Sequence, residues 1–174
     1  ARTTGQPDYV PNMDFDTGWT ASVWARNYSY SGGILGGYGN NYYKVNQTNT
    51  IYVRGGHTPN NIKFSSTTAA AMNGLGEWNH FVLRYDPSEP LALRYNLFVN
   101  GQKHLADTAL TSVTAGINWN IDRVGRYGIT GPLLNGDAKD VQMYSEVLSD
   151  SQCEQIYAGK LPSNDNLEVH WKFG

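Results

Sequence analysis

The chain has 174 residues, which suits one domain with one sizeable core, so we expect a single domain over residues 1–174. Its 40% hydrophobic and 16% charged residues exclude a disordered segment, and a formal net charge of −2 predicts no nucleic-acid partner. No run approaches the roughly 20 apolar residues of a membrane span, and the single Cys153 excludes an internal disulfide. We therefore expect no membrane insertion.

Short segments of alternating polarity, separated by turn residues, fill the first half of the chain. The 19 glycines and 12 tyrosines are typical of an all-β fold with many turns. Residues 67–76 predict a loop or at most one helical turn. The predicted strands are Trp19–Arg26, Gly33–Tyr38, Tyr42–Gln47, Thr50–Arg54 and Ile62–Thr68.

The second half of the chain continues the same pattern. The segment Leu91–Val99 alternates and runs into Asn100-Gly101, the dipeptide that favours a tight hairpin turn because both residues tolerate a positive φ. The last predicted strand is expected to pair near the N-terminal segment Tyr9–Phe15. The other strands predicted here are Trp78–Asp86, Gln102–Asp107, Ile121–Tyr127, Ala138–Tyr144 and Leu167–Phe173.

One helix is predicted near the C-terminus. Ser149 can serve as its N-cap with Gln152 at the capping-box spacing, Ile156 and Tyr157 give it an apolar face, and Gly159 can end it. Together these elements predict a two-sheet antiparallel β-sandwich, or jelly roll, with one short C-terminal helix.

The order of several segments resembles the laminin-G-like jelly-roll domains of the concanavalin A-like lectin/glucanase superfamily. The resemblance covers roughly residues 8–174. It implies a carbohydrate-binding module, an adhesion domain or an accessory domain of a larger enzyme. The segments that carry it are WTASVWAR (19–26), GILGG (33–37), WNHFVLRYD (78–86), LFVNG (97–101), DRVGRYG (122–128) and NGDAKDVQMYSEVLSDSQCEQIYAG (135–159).

Some relatives in this family bind calcium, which makes a structural calcium ion the one cofactor to consider. Lys139 stands where the family often has an aspartate, and this weakens the calcium assignment. Acidic oxygens are the ligands that calcium prefers. The remaining candidate ligands are Asp14, Asp16, Asp137 and Asp140.

Catalytic patterns are missing from the sequence, so we expect that the chain is not an enzyme. A retaining glycosidase needs two carboxylates about 5 Å apart, and no E-x-D-x-x-E run supplies them. The four histidines show no zinc spacing. We expect structural roles for His80, which lies in a W-x-H motif, and for Cys153.

Arginines recur on the outward positions of the predicted strands and suggest one basic, tyrosine-containing surface. Arginine pairs bidentately with carboxylate or sulfate groups, so such a surface would suit an acidic polysaccharide such as alginate or a sulfated galactan. The alternative is that these arginines are dispersed, solvated or paired with acidic residues of the loops. The candidate ligand-binding residues on the strands are Tyr52, Arg54, Arg84, Arg94, Asn96, Arg123 and Arg126, with Tyr127 beside them.

Loops rich in tyrosine, asparagine, serine and glycine form a second candidate surface at the rim of the sandwich. Tyrosine offers a large contact area at low entropy cost, and its neighbours offer adaptable hydrogen bonds. Ordinary turn chemistry would produce the same composition. The candidates at the rim are Tyr38, Tyr42, Tyr43, His57 and Trp119.

The leading hypothesis is a non-catalytic domain that binds a polysaccharide, for which an acidic polysaccharide is one candidate. We expect the domain to be extracellular, either secreted or on the surface of a cell or virion. We expect that it belongs to a larger parent protein or surface assembly. The alternatives are a protein-interaction, adhesion or viral attachment domain and, third, a polysaccharide-active enzyme. The sequence leaves the identity of the glycan open.

Overall fold

The computed structural model describes residues 13–29, 32–37, 42–45, 51–54, 57–58, 61–64, 70–113, 121, 123–126, 133–162 and 165–172. Within these ranges almost every regular element is a strand. The strands are β1 (Trp19–Asn27), β2 (Gly33–Gly36), β3 (Tyr42–Val45), β4 (Ile51–Arg54), β5 (His57–Thr58), β6 (Ile62–Phe64), β7 (Trp78–Tyr85), β8 (Tyr95–Val99), β9 (Gln102–Leu105), β10 (Ser112–Val113), β11 (Arg123–Val124), β12 (Gly136–Tyr144) and β13 (Leu167–Trp171).

Two antiparallel sheets form the body of the domain. The larger has six strands in the order β13-β12-β1-β7-β8-β9, and the smaller has five in the order β11-β2-β3-β4-β6. Strands β5 and β10 form a separate two-stranded ladder. This arrangement confirms the predicted all-β, two-sheet antiparallel sandwich.

Alternate residues of each strand point into a shared core, as the period of two requires. On β1 the inward residues are Trp19, Ala21, Val23 and Ala25, all almost fully buried. Apolar residues of both sheets meet them in one cluster. The partners from the six-stranded sheet include Phe81, Leu83, Tyr85, Leu97, Val99 and Met143, and those from the five-stranded sheet include Ile34, Leu35, Ile51, Val53, Ile62 and Phe64.

Helix α1 (Asp150–Tyr157) has the termini that the sequence predicts. The backbone N–H of Gln152 donates to Ser149 Oγ over 3.3 Å, and the backbone N–H of Ser149 donates to Gln152 Oε1 over 2.8 Å, which completes the capping box. After the helix, Gly159 adopts a φ of +77°, a conformation that favours glycine.

This helix lies on the outer face of the six-stranded sheet. Its buried Cys153 and Ile156 pack with Val82, Phe98 and Tyr144 in a second apolar cluster, separate from the main core. Burial raises the pKa of the Cys153 thiol to about 12, so this thiol is protonated and inert at neutral pH. The helix therefore covers one part of the outer face, and beside it Trp24, Arg26 and Trp78 are partly exposed.

The start of one predicted strand differs in the structure. The prediction that a strand begins at Leu91 is wrong, because residues Leu91–Leu93 form a 3-10 turn after Pro90. Leu91 and Leu93 are exposed and therefore have no core to face. The predicted hairpin is confirmed, with φ of +50° at Asn100 and +81° at Gly101.

Strand β13 pairs with β12, with Val141 opposite Trp171. Of the segment Tyr9–Phe15, which the sequence suggested as its neighbour, residues 9–12 lie outside the described residues, so that pairing stays a prediction. None of the helical segments among the described residues has the length and apolar character needed to traverse a bilayer.

Candidate functional site

Beside the helix, the outer face of the six-stranded sheet carries a row of aromatic and cationic side chains. Strand β1 pairs with β7 on one side and with β12 on the other, which places Arg26 opposite Trp78 and Trp24 opposite Lys139. These positions alternate with the core residues of β1, so their side chains share the outer face. We call this set the aromatic–cation row: Tyr28, Arg26, Trp78, Lys139, Trp24 and Tyr157.

Neighbouring members of the row lie within cation–π or stacking distance. The Arg26 guanidinium carbon lies 5.3 Å from the centroid of the Tyr28 ring and 5.0 Å from that of Trp78. Lys139 Nζ lies 4.3 Å from the Trp78 centroid and 5.8 Å from that of Trp24. Such contacts within about 6 Å are attractive, so they hold the row in a defined order.

The end of helix α1 extends the row. The ring of Tyr157 stacks on Trp24, with centroids 5.8 Å apart and planes inclined by 24°. Tyr28 and Tyr157, at the two ends, are 48% and 40% exposed, and Trp24 and Trp78 between them are half-buried. Part of the aromatic surface is therefore accessible along the whole row.

A carboxylate fixes the Tyr28 end. Asp137 Oδ2 accepts hydrogen bonds from Arg26 Nη2 over 2.7 Å, Arg26 Nε over 3.1 Å and Tyr28 Oη over 2.8 Å. The bonds from Arg26 and Tyr28 lower the pKa of Asp137, and the same interaction raises the pKa values of both donors. Asp137 thus remains ionised and orients both side chains.

A buried histidine lies directly behind the row. The ring centroid of His80 is 4.8 Å from that of Trp24 and 5.7 Å from that of Tyr157, and His80 Nε2 lies 2.8 Å from Ser22 Oγ. Burial lowers the pKa of His80 to about 4. The imidazole is therefore neutral at physiological pH and supports the two rings, in agreement with the structural role expected of it.

An open depression of about 490 Å³ adjoins Trp24 and Lys139 of the row. It is lined by Trp24, Lys139, Asp140 and Lys172. The Asp140 carboxylate is already engaged, because its Oδ1 lies 2.6 Å from His170 Nε2. Both lysines are exposed.

Two of the predicted ligand contacts are wrong, because both side chains are buried. Arg84 is only 6% exposed, and its Nη1 donates to Leu148 O over 2.8 Å and to Asp150 Oδ1 over 2.7 Å. Asn96 is 2% exposed and donates to Leu93 O. Both residues anchor the helix or the 3-10 turn and cannot contact a polymer.

The predicted single basic face is also wrong. Arg84 points outward from the six-stranded sheet, but Tyr52 and Arg54 lie on β4 of the other sheet and alternate there with buried Ile51 and Val53. The two sets therefore face opposite sides of the sandwich.

The other predicted arginines on the strands are half-buried. Arg94 donates from Nε to Glu89 O over 3.0 Å, Arg123 lies in β11 opposite Gly36, and Arg126 forms an isolated bridge with Leu133. Arg123 shares a cross-strand row with Arg54, because Arg123 pairs with Gly36, Gly36 with Tyr42 and Tyr42 with Arg54, so these positions lie on one face of the five-stranded sheet. Their contact with a ligand stays a prediction.

The predicted rim residues fall partly within the described residues. Tyr42 and Tyr43 lie in β3 opposite Arg54 and Val53, and His57 lies in β5. Tyr38, Trp119 and Tyr127 lie outside the described residues.

The aromatic–cation row was not predicted from the sequence. A local signal for half of it exists, because Trp24, Arg26 and Tyr28 recur at every second position, out of phase with the core residues of β1. Trp78 and Lys139 could be added only from the strand register, which is a long-range property.

The four candidate calcium ligands do not form one set. Asp14 Oδ1 accepts the backbone N–H of Asp16 over 2.8 Å in a local turn, Asp137 pairs with Arg26, and Asp140 pairs with His170. In the part of the chain that the structure describes, no group of three acidic, histidine or cysteine side chains is arranged to hold a metal ion.

Comparison with known proteins identifies the family of this fold. The laminin-G-like family model of the concanavalin A-like lectin/glucanases superfamily matches residues 4–153. The chain belongs to this superfamily. No curated protein sequence matches it significantly.

Solved structures share the fold at low sequence identity. A candidate carbohydrate-binding protein from Bacteroides ovatus is 19% identical with a TM-score of 0.64, and the match covers 94% of this chain and 48% of that one. The chain therefore spans about half the length of this relative. Domain 4 of an extracellular GH43 arabinanase from Geobacillus stearothermophilus, in complex with arabinotriose, is 16% identical with a TM-score of 0.51 and coverages of 86% and 69%.

An enzyme also contains this fold. Trypanosoma rangeli sialidase is 16% identical with a TM-score of 0.54, and the match covers 82% of this chain but only 23% of the sialidase. At these identities the similarity shows the fold alone, and the fold hosts both binding domains and parts of enzymes.

Proposed function

We propose that this chain is a non-catalytic carbohydrate-binding domain that holds a polysaccharide along the aromatic–cation row. The observation that carries the proposal is the row itself, in which four partly exposed rings and two cations lie side by side on one face of the sheet. A row of this kind presents a series of binding positions, as a polymer of repeating units requires.

The chemistry of the row suits sugars. Pyranose rings have C–H faces that pack on aromatic surfaces, while tryptophan and tyrosine supply large contact areas at low entropy cost. The strands hold these side chains in fixed positions, so little order must be gained when a ligand binds.

The carboxylates near the row support binding rather than catalysis. Hydrolysis of a glycoside needs one carboxyl group that can act as an acid and a second that acts as nucleophile or base. Asp137 is held ionised by Arg26 and Tyr28, and Asp140 is paired with His170. Both are committed to structural contacts.

The relatives support the same proposal. They include a candidate carbohydrate-binding protein and a domain solved with arabinotriose. Polysaccharides such as arabinan occur mainly outside cells. We therefore propose that the domain is one module of a larger protein that is secreted or exposed at a surface. Its partner is then a glycan.

Affinity electrophoresis against a panel of neutral and acidic polysaccharides tests the proposal. The wild-type domain should be retarded by at least one of them. Trp24→Ala should remove most of the retardation, because an aromatic ring of this size contributes about 1 kcal/mol or more when it packs on a ligand. Trp171→Ala is the matched control, since Trp171 is also half-buried but packs against the core side of β13.

Three results would contradict the proposal. If Trp24→Ala and Trp171→Ala reduce retardation equally, the row is not the site. If no polysaccharide retards the domain but a protein partner is captured specifically, an adhesion domain is favoured. If incubation releases new reducing ends or unsaturated products, the chain is an enzyme.

A further inference from the structure

The depression beside Trp24 indicates which chemical class of glycan the row receives. This step rests on the proposed function. We infer that the ligand is an anionic polysaccharide, and that a carboxylate or sulfate group of one sugar unit sits over Trp24 between the ammonium groups of Lys139 and Lys172.

The shape of the depression fits one or two sugar units. Its volume of about 490 Å³ lies within the range of small-molecule sites in proteins. Trp24 forms one wall and offers the ring on which a sugar can stack, while the remaining lining residues, Lys139, Asp140 and Lys172, are polar. A sugar seated on Trp24 therefore has its substituents within reach of charged groups.

The charges in the depression favour an anion. Two exposed lysines line it, and its one carboxylate, Asp140, is hydrogen-bonded to His170 over 2.6 Å. Among the described residues no carboxylate lies within ion-pair distance of Lys139 or of Lys172. An incoming anion would therefore not have to displace an existing ion pair.

Lys139 is also held in place before a ligand arrives. Its ammonium lies over the rings of Trp78 and Trp24, at 4.3 and 5.8 Å from their centroids. Ordering a flexible lysine side chain on binding is costly, and these contacts reduce that cost. Hydrogen bonds from an ammonium to a carboxylate or a sulfate are charge-assisted and stronger than neutral ones.

Two matched pairs of polymers test this inference. Polygalacturonate is compared with its fully methyl-esterified form, and a sulfated galactan with its desulfated form. Dissociation constants are measured by titration calorimetry at about 0.05 M and about 0.5 M salt, because exposed charge pairs weaken when the Debye length shortens. The first pair reports on carboxylates and the second on sulfate esters.

We expect the anionic member of at least one pair to bind more tightly than its neutral partner, with an advantage that salt removes. Lys139→Met and Lys172→Met should each weaken its binding roughly two- to fivefold, the range of exposed ion pairs, and the double variant should weaken it roughly tenfold. Lys160→Met is the control, because Lys160 is exposed but lies after the helix and outside the depression.

The failures of the two proposals give different results. If neutral and anionic members bind equally, or if Lys139→Met and Lys172→Met behave like Lys160→Met, the anionic site is refuted. In that case loss of binding in Trp24→Ala would still support the carbohydrate-binding function. If no member of either pair and no other polysaccharide binds, both proposals are refuted together.

Discussion

His80 gives the most direct test of the structure, because its burial predicts a specific loss of stability in acid. The imidazole lies behind Trp24 and Tyr157 and is fully buried. Its Nε2 contacts Ser22 Oγ, whereas Nδ1 has no hydrogen-bond partner in the described part of the chain. A charged imidazolium there would be desolvated and would leave a buried donor without an acceptor.

The size of this effect follows from the two pKa values. Burial lowers the pKa of His80 from 6.5 in the unfolded chain to about 4 in the folded protein. Between these values the unfolded state binds a proton that the folded state does not, so the free energy of unfolding falls as the pH drops. The stabilisation is complete above pH 6.5, and about 3 kcal/mol of it is lost by about pH 4.

The assay compares the wild-type domain with His80→Gln by urea unfolding, followed by tryptophan fluorescence, at several values between about pH 7 and about pH 4. The variant starts from a lower stability because it loses the ring contacts. Between about pH 7 and about pH 4, however, its free energy of unfolding should fall by about 3 kcal/mol less than that of the wild type. Titrating carboxylates affect both proteins equally. Burial also lowers the pKa of His104, which both proteins retain, and His104→Gln should flatten the curve less because this side chain is less buried. Parallel curves for wild type and His80→Gln would refute the burial of a neutral His80.

Two further predictions concern the supports of the site. Arg84→Met should destabilise the domain by about 1–3 kcal/mol, because the buried carbonyl of Leu148 loses its hydrogen-bond donor. Arg94→Met should cost less, because Arg94 is only half-buried. Equal losses of the two variants in urea unfolding would contradict the anchoring role of Arg84. Gly136→Ala should cost about 3 kcal/mol or more, because its new Cβ would lie 1.9 Å from the backbone oxygen of Arg26. Gly74→Ala has no atom within 4 Å of the new Cβ and should change the melting temperature little, so similar melting temperatures for the two variants would show that the β1–β12 contact is wrong.

Local signals were sufficient for the elements that local chemistry dictates. The alternation in β1 predicts which residues face the core, and the Asn100-Gly101 turn and the Ser149 capping box are both found in the structure. Each of these features depends on residues within a few positions of one another. In the predicted strand Leu91–Val99 only the start was wrong, because alternation alone does not reveal whether a core lies opposite and Pro90 begins a 3-10 turn there, whereas Tyr95–Val99 forms β8.

The candidate site could not be predicted in the same way, because it depends on register between distant strands. Lys139 lies opposite Trp24 only because β12 contains an irregularity at Asp140, which has a φ of +50°. Without that extra residue the outward side chains of β12 would shift by one position and point to the other face. No short sequence motif predicts this irregularity.

For Arg84 the local prediction of an outward position is correct, but the ligand-binding role inferred from it is wrong. Arg84 does alternate outward from the core, as predicted, but helix α1 lies over that position and converts it into a buried anchor for Leu148 and Asp150. Lys103 contacts the same Asp150 over 2.9 Å, and hydrogen bonds from both cations lower the pKa of Asp150 although its partial burial opposes this. An outward position is a binding position only where no other element covers it.

The position of the proposed site follows from where this helix stops. Tyr157 is its last residue, and the ring reaches past the sealed part of the sheet to stack on Trp24. The same ring packs on the hairpin turn, where a Cβ at Gly101 would lie 2.8 Å from it. Gly101 is therefore required both by its φ of +81° and by this contact. The helix thus determines which outward residues become structural and which remain available, and its final side chain joins the sealed half of the face to the aromatic–cation row.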